Sequence, residues 1–400
     1  MRASRAAWTR SRPADPGSRQ ADAVHCAHFE AARCRSCTWL PRPYAEQLAA
    51  KQQIARDALG DPAGLRWLAP LGEGGAGFRN RAKMVVAGRS GQPVLGILDG
   101  QGAGVDLRDC ALYPSALQAA FGPIARLITA ARIEPYDVPR RRGELKYVLV
   151  TLAEHSGELM IRFVLRSEQS LPRLRAHLPR LQAELPNVRV LSANLQPIHQ
   201  AVLEGPEEIL LGADDAMALR VNDLLLWLGP QAFFQTHTRM AASLYAQART
   251  WIEAINPPAV LDLYCGIGGF AMHCADGRRA VYGIELSASA VALAQRAARD
   301  NGLRNITFAA SDAATTDPRT LPPAPAVIVN PPRRGLDASI RARLQADPDV
   351  RWLVYSSCHV HSLARDLAAL PAFRLREAQV LDLFPHTPHF ELLCLLERSP

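Results

Sequence analysis

Apolar and polar residues alternate with a period of two along KYVLVTL (146–152) and ELMIRFVLR (158–166). That period sends successive side chains to opposite faces of a strand. AEHSG separates the two runs and reads as a hairpin turn. PVLGIL (93–98) and VRVLSANL (188–195) are further strand candidates. YAEQLAAKQQIARDAL (44–59) and LPRLRAHLPRLQAEL (171–185) have helical spacing instead, and the second is expected to break near Pro179, which has no backbone donor. The region 65–230 is therefore predicted to be strand-rich.

The pattern changes near residue 235. RMAASLYAQARTWIEAI puts Met240, Leu244, Ala248, Trp251 and Ile255 on one helical stripe, and Asn256-Pro257-Pro258 stops it. Short apolar runs then end in AVLDLYCG, AVYGIE, ITFAASD, AVIVNPP and WLVYSSC, with helical stretches between them. Strands alternating with helices predict an α/β unit with a parallel sheet covered on both faces. The expected organisation is a basic amino-terminal extension over 1–24, a β-rich region over 25–224, and an α/β domain over 225–400.

The chain has 400 residues and a net charge of +8. A basic surface favours phosphate, so nucleic acid is the leading partner class. RRRGELK (140–146) and FRNRAK (78–83) are candidate phosphate contacts. The Arg-rich start has no continuous apolar stretch, which argues against a secretory signal and for a disordered arm or an early start codon. No apolar run reaches membrane-spanning length, so no membrane association is expected. Eight cysteines are too sparse for a disulfide scaffold and suit a reduced, cytoplasmic setting.

Ligands of open α/β sheets gather at the carboxyl ends of strands. In LDLYCGIGGF (261–270), Gly266, Gly268 and Gly269 permit a tight turn. Glu285 ends the next strand and suits the hydroxyls of a ribose. Gly266, Gly268 and Ala271 also satisfy a loose dinucleotide pattern, but Asp262 beside the turn would repel a pyrophosphate. It favours a cationic ligand, and S-adenosylmethionine carries a sulfonium and an ammonium with no phosphate. Asp312 is a candidate partner for an adenine amine. Asn330 heads VNPPRRG, a rigid loop that fixes its amide at the lip of a pocket. Arg333 and Arg334 follow, where a phosphate could pass.

Cys358, in YSSCHVHS (355–362), ends the fifth strand. A methyl donor and a thiol in one cleft suggest carbon methylation of a pyrimidine. A thiolate adding to C6 of uracil makes C5 nucleophilic, and a base must later remove the C5 proton. Glu391, at the mouth of the apolar run ELLCLL, is the first candidate base, with His386 and His389 competing. Cys265, Cys274 and Cys394 read as small buried apolar residues.

NPPRRG, VYSSC, FPHTPHFE and QAFFQT (231–236) together resemble the RNA uracil-C5 methyltransferases, from about Cys26 to the carboxyl terminus. The resemblance implies a Rossmann-like class I S-adenosylmethionine-dependent methyltransferase domain preceded by a β-rich iron–sulfur and RNA-binding domain. It implies Cys358 as nucleophile and Glu391 as proton acceptor. It also implies Gln235, Tyr264, Glu285, Asp312 and Asn330 as contacts to S-adenosylmethionine. The sequence departs from the family at His359 and Ser362, where Asn and Thr are usual, and at Tyr264, where Phe is common.

CAHFEAARCRSC places Cys26, Cys34 and Cys37 within twelve residues, and Cys110 lies apart. Such a four-thiol set suits zinc or an iron–sulfur cluster, and spacing does not choose. The resemblance implies a [4Fe–4S] cluster. Only 25 residues precede Cys26, too few for the TRAM barrel of the longer ribosomal members. The short ribosomal form is implied, with a uridine of the uracil-747 type in 23S rRNA as target and no obligate protein partner. Three other readings are a transfer-RNA enzyme, an amino-group methyltransferase, and an iron–sulfur RNA-binding protein with an inactive methyltransferase half. A dehydrogenase is disfavoured by Asp262.

Overall fold

The computed structural model describes residues 24–199, 202–315 and 323–399, so residues 1–23 of the expected extension lie outside the described residues. A short helix, α1 (Ala27–Glu30), and a longer one, α2 (Tyr44–Leu59), come first, followed by two brief strands, β1 (Arg66–Trp67) and β2 (Leu71–Gly72). A seven-stranded sheet follows. Its strands are β3 (Arg81–Arg89), β4 (Gln92–Leu98), β5 (Gly104–Asp106), β6 (Leu145–Ala153), β7 (Glu158–Leu165), β8 (Val188–Leu195) and β9 (Glu207–Leu210). Their order is β5-β4-β3-β6-β7-β8-β9. All neighbours are antiparallel except β7 and β8, which are joined by a helical crossover.

The predicted hairpin is β6–β7. Val148, Val150, Ile161 and Phe163 turn one face of this sheet towards two helices, α3 (Ser115–Ala130) and α4 (Leu171–Glu184). Alpha-helix α4 is continuous, so the expected break at Pro179 does not occur. The lost hydrogen bond falls on the solvent side, where the carbonyl of exposed Arg175 can meet water. Leu171, Leu174, Leu178 and Leu181 stay buried and hold the helix down.

A hairpin of β10 (Met217–Val221) and β11 (Leu224–Leu228) leads to α5 (Thr238–Ile255). A cut between residues 224 and 225 would fall inside this hairpin. Met217, Leu219, Leu226 and Leu228 pack in one core with Met240, Leu244, Ala248 and Trp251 of α5. The same core takes in Ala153 and Met160 of the first sheet, so the hairpin fills the seam between the two halves.

The second sheet alternates strands and helices: β12 (Ala259–Leu263), α6 (Gly269–Cys274), β13 (Ala280–Glu285), α7 (Ala288–Asp300), β14 (Ile306–Ala310), β15 (Ala326–Val329), α8 (Ala338–Ala346), β16 (Trp352–Ser357), α9 (Val360–Ala368), β17 (Phe373–Asp382) and β18 (Glu391–Arg398). Strands β14-β13-β12-β15-β16 are parallel, and β18 inserts antiparallel between β16 and β17. The order reverses at β12 and β15, the switch point where a crevice opens. Early residues also join this sheet: β1 and β2 pair with β17. The buried Lys51 ammonium of α2 meets the Asp382 carboxylate at 2.6 Å, and Tyr44 donates to the same group at 3.0 Å. Residues 44–72 therefore pack on the α/β half rather than on the β-rich one.

Candidate active site

The loop after β12 is built on unusual backbone. Tyr264 has a φ of +63°, Gly266 +53° and Gly268 +85°. A tyrosine in the left-handed region is uncommon and marks a place where surrounding structure imposes the conformation. Gly269 admits no larger residue, because a Cβ there would lie 2.6 Å from the Tyr245 ring. Two carboxylates brace the loop. Glu285 accepts from the backbone N–H of Gly266 (3.0 Å) and of Ser287 (2.9 Å), and Asp262 accepts from Ala271 N–H (2.9 Å). Asp262 is fully buried, and burial pushes its carboxyl up to about 8. Burial thus works against the standing negative charge expected of it, and a cationic ligand beside it would favour the ionised form. Among the described residues the Asp262 Oδ1 and the Tyr264 hydroxyl are nevertheless buried without a hydrogen-bond partner. Those orphaned atoms suit a polar ligand at the strand ends. Asp312 is half-buried and accepts from Ala314 N–H at 2.9 Å.

Asn330 is half-buried between β15 and Pro331. The proline loop beyond it is clamped by Asp366 of α9, which sequence reading missed. Its Oδ2 accepts from Leu336 N–H (2.7 Å) and from the Tyr355 hydroxyl (2.6 Å), and its Oδ1 pairs with Arg341 (2.8 Å). Gly335, with φ +89°, passes so close that a Cβ would lie 2.5 Å from that carboxylate. The clamp leaves Arg333 and Arg334 exposed at the cleft.

Strands β16 and β18 bring the thiol and the carboxyl together. Ser357, the last residue of β16, pairs with Leu392, so Cys358 leaves β16 at the end where Glu391 begins β18, and the Glu391 charge acts on its thiol. Cys358 is half-buried, and its thiol is raised by burial and by the Glu391 charge, against a lowering influence of Arg333. Glu391 is 1% exposed; burial pushes its carboxyl up to about 7, and a hydrogen bond from the Ser356 hydroxyl opposes that rise. Ser356 was also missed, although it lies only two residues before Cys358.

His359 replaces the usual Asn without disturbing this corner. It is the N-cap of α9: its Nδ1 accepts from Ser362 N–H at 3.2 Å, and the Ser362 hydroxyl returns to the His359 carbonyl at 2.8 Å. His386 is buried and tied to Gln47 and the Gly75 carbonyl, whereas His389 is exposed. Of the three candidate bases, Glu391 is the one whose charge acts on the Cys358 thiol.

Gln235 is 5% exposed and sits before α5. The buried Asn80 amide donates to the Gln235 carbonyl (2.9 Å) and to Thr238 Oγ1 (2.8 Å). FRNRAK is thus mostly seam rather than phosphate contact: Phe78 stacks on His237 at 5.0 Å, and Arg81 turns towards Glu204 and Glu208. Only Arg79 and Lys83 of that stretch are exposed cations. Arg140, Arg141 and Arg142 are exposed, but Lys146 is buried. Phe233 and Leu286 flank the crevice 65% and 72% exposed, a signal visible only once folding has hidden the other apolar residues.

The thiols of Cys26, Cys34 and Cys37 lie within electrostatic reach of Cys110. Cys26 caps α1, and a 2.6 Å contact between His28 and Asp109 ties this segment to the loop of Cys110. Cys37 is pushed up to about 12 by burial and by the neighbouring Cys110, Cys34 and Cys26. Among the described residues, no three His, Cys, Asp or Glu side chains meet as a site for a metal ion. Trp39 N–H donates to the His386 carbonyl at 2.9 Å, linking the segment to the loop before Glu391.

Known proteins resemble this arrangement over most of the chain. A family model described as methyltransferase domain matches residues 260–328, and one described as tRNA (Uracil-5-)-methyltransferase matches 324–399. A protein of Halothiobacillus neapolitanus named 23S rRNA (uracil(747)-C(5))-methyltransferase RlmC is 48% identical over 381 residues, covering 94% of this chain and 100% of that one. Its namesake in Yersinia enterocolitica is 45% identical over 374 residues, covering 93% and 99%. The crystal structure of Pyrococcus abyssi tRNA (uracil-54, C5)-methyltransferase with S-adenosyl-L-homocysteine superposes with a TM-score of 0.73. It shares 23% identity and covers 90% of this chain and 85% of its own. At that identity the likeness establishes the mixed α/β methyltransferase fold.

Proposed function

The chain belongs to the 23S rRNA (uracil-C5)-methyltransferase family, and from that premise we propose that it methylates C5 of a uridine of the uracil-747 type in 23S rRNA. The observation that carries the mechanism is the proximity of Cys358 and Glu391, at the ends of two paired strands, where the carboxyl acts on the thiol. Gln235, Tyr264, Glu285, Asp312 and Asn330 hold S-adenosylmethionine, which supplies an electrophilic methyl group. The orphaned Asp262 and Tyr264 oxygens fit such a polar ligand.

The target base leaves its stack to reach the cleft. Cys358 Sγ bonds to C6, and the electron pair moves towards O4, so that C5 becomes nucleophilic. C5 would take the methyl group as its bond to the sulfonium breaks and S-adenosylhomocysteine leaves; Glu391 then takes the C5 proton, the C5=C6 bond re-forms, and the C6–S bond breaks to release the thiolate. A carboxyl near 7 is matched to this duty, because about half of it is ionised at neutral pH. Ser356 holds the accepting oxygen in place, and Arg333 favours the thiolate against burial.

Cys26, Cys34, Cys37 and Cys110 hold a [4Fe–4S] cluster in this reading, with zinc as the alternative. Their mutual electrostatic influence supports a shared site. Methyl transfer requires no electron, so the cluster is structural, bracing the segment that reaches the Glu391 loop through Trp39. Iron and sulfide in anaerobically purified protein, with visible charge-transfer absorption, are expected; zinc alone would overturn the assignment. Exposed Arg140, Arg141 and Arg142 serve RNA phosphates, and Phe233 offers a ring to a base at the crevice. Among the described residues no helix is long and apolar enough to cross a membrane, and the reduced thiols fit a cytoplasmic reaction.

The test is labelled S-adenosylmethionine with undermodified 23S rRNA, scored for 5-methyluridine. Wild type is expected to form it at one site, and Cys358→Ala to form none. Product from Cys358→Ala would end the covalent scheme. Methylation of transfer RNA alone would overturn the substrate.

A further inference from the structure

The two faces of the seven-stranded sheet are unlike. One is sealed by α3 and α4, while the other carries an open cavity of about 400 Å³, within the roughly 300–1,000 Å³ range of small-ligand sites. Val85 of β3 and Tyr147 of β6 stand directly opposite each other on its floor, beside Leu98 of β4. Tyr136, Lys146 and His199 form the walls. The Tyr136 hydroxyl meets His199 Nδ1 at 2.8 Å, and the Lys146 ammonium lies 4.7 Å from the Tyr136 ring centre. Lys146 is buried, and it donates to the Gln196 side chain and to the Ile198 carbonyl at 2.8 Å. The exposed Lys83 ammonium lies 5.1 Å from the Tyr147 ring centre. Among the described residues, no carboxylate lines the cavity.

Partly exposed rings with two ammonium groups beside them suit a flat, electron-rich ligand bearing carbonyl or ring-nitrogen acceptors. Nucleobases have that chemistry, and they stack on aromatic rings whatever their sequence. The three exposed arginines, 140–142, follow closely in sequence after Tyr136 and suit the attached phosphates. The place fits as well. Strand β3 starts beside Asn80, which holds Gln235, and reaches Val85 five residues later, roughly 17 Å along a strand. That is a span of a few nucleotides.

We propose that this cavity receives one unstacked base of the substrate RNA, a few nucleotides from the target uridine. The inference rests on the RNA-methyltransferase reading and adds to it a second base-binding site, on the sheet face rather than at the strand ends. A base held there fixes the register of the strand and so selects which uridine enters the cleft.

The experiment uses the full chain and a 23S rRNA fragment carrying 4-thiouridine or 6-thioguanosine around the target. After irradiation, cross-linked peptides are mapped by mass spectrometry. Cross-links at Tyr136, Tyr147 or His199 are expected. Tyr136→Ala and Tyr147→Ala should each raise the Kd for the fragment about tenfold, as for loss of one stacked base. Retained affinity for S-adenosylmethionine shows that these variants fold. No cross-link at the three residues overturns the proposal, and so does an unmoved Kd in both variants. Scoring 5-methyluridine in the same samples separates the two claims. Cross-linking at the cavity without methylation keeps the site and removes the enzymatic reading; methylation without such cross-links does the reverse.

Discussion

The two sheets organise their polar groups in opposite ways. In the parallel sheet both faces are covered, so Tyr264, Glu285, Asn330 and Cys358 are displayed only where strands end. In the largely antiparallel sheet one face is open over β3, β4 and the start of β6, where Lys83, Tyr147 and their neighbours are displayed, and is buried in the seam over β7. The difference follows from the connections. Parallel strands need crossover helices, which cover the faces; antiparallel strands close with short turns and can leave a face to solvent. Chemistry at strand ends is confined to a crevice that excludes water, which bond making needs. Recognition on a face can span several nucleotides. Strand-end residues should therefore govern turnover, and face residues the affinity for RNA.

The sharpest division is expected from Glu391→Gln. Turnover should fall by roughly 10²–10⁴-fold, the usual worth of a positioned base. Methylated RNA should remain joined to Cys358, because the C5 proton has no acceptor, and a denaturing gel would show the adduct. Free 5-methyluridine at the wild-type rate would assign the proton to another group.

Asn80→Ala probes the seam between the sheets. It removes two buried hydrogen bonds that hold the Gln235 loop, a loss of about 1–3 kcal/mol. Affinity for S-adenosylmethionine should weaken by about fivefold or more in calorimetry. An unchanged affinity would mean that the seam does not position Gln235.

The smallest effect concerns pH. Glu391 works ionised, so kcat/KM should rise as pH passes about 7. The Ser356 hydroxyl stabilises the ionised form, and Ser356→Ala should move that rise to higher pH, with about a threefold loss near neutrality. A shift to lower pH would reverse the role of Ser356. The same burial has a cost: a carboxyl raised in the fold makes stability decline as pH climbs from its unfolded value to about 7, with no further loss above.

The sequence by itself determined the local periods and the strand ends. Alternation in residues 146–166 and the repeated strand–helix pattern after 259 depend on side chains a few positions apart, and so did the glycine turn, the proline loop and the strand-end thiol of Cys358. Tertiary structure decided what depends on distant partners. Lys51 with Asp382, Asn80 with Gln235, and Ser356 with Glu391 are pairs that no local pattern announces. It also turned FRNRAK from a charged loop into a seam, kept α4 whole through Pro179, and raised the Asp262 carboxyl by burying it. Period and turn chemistry are written in neighbouring residues, but burial and long-range pairing exist only once the chain has closed on itself, and they set the charge and position of each group.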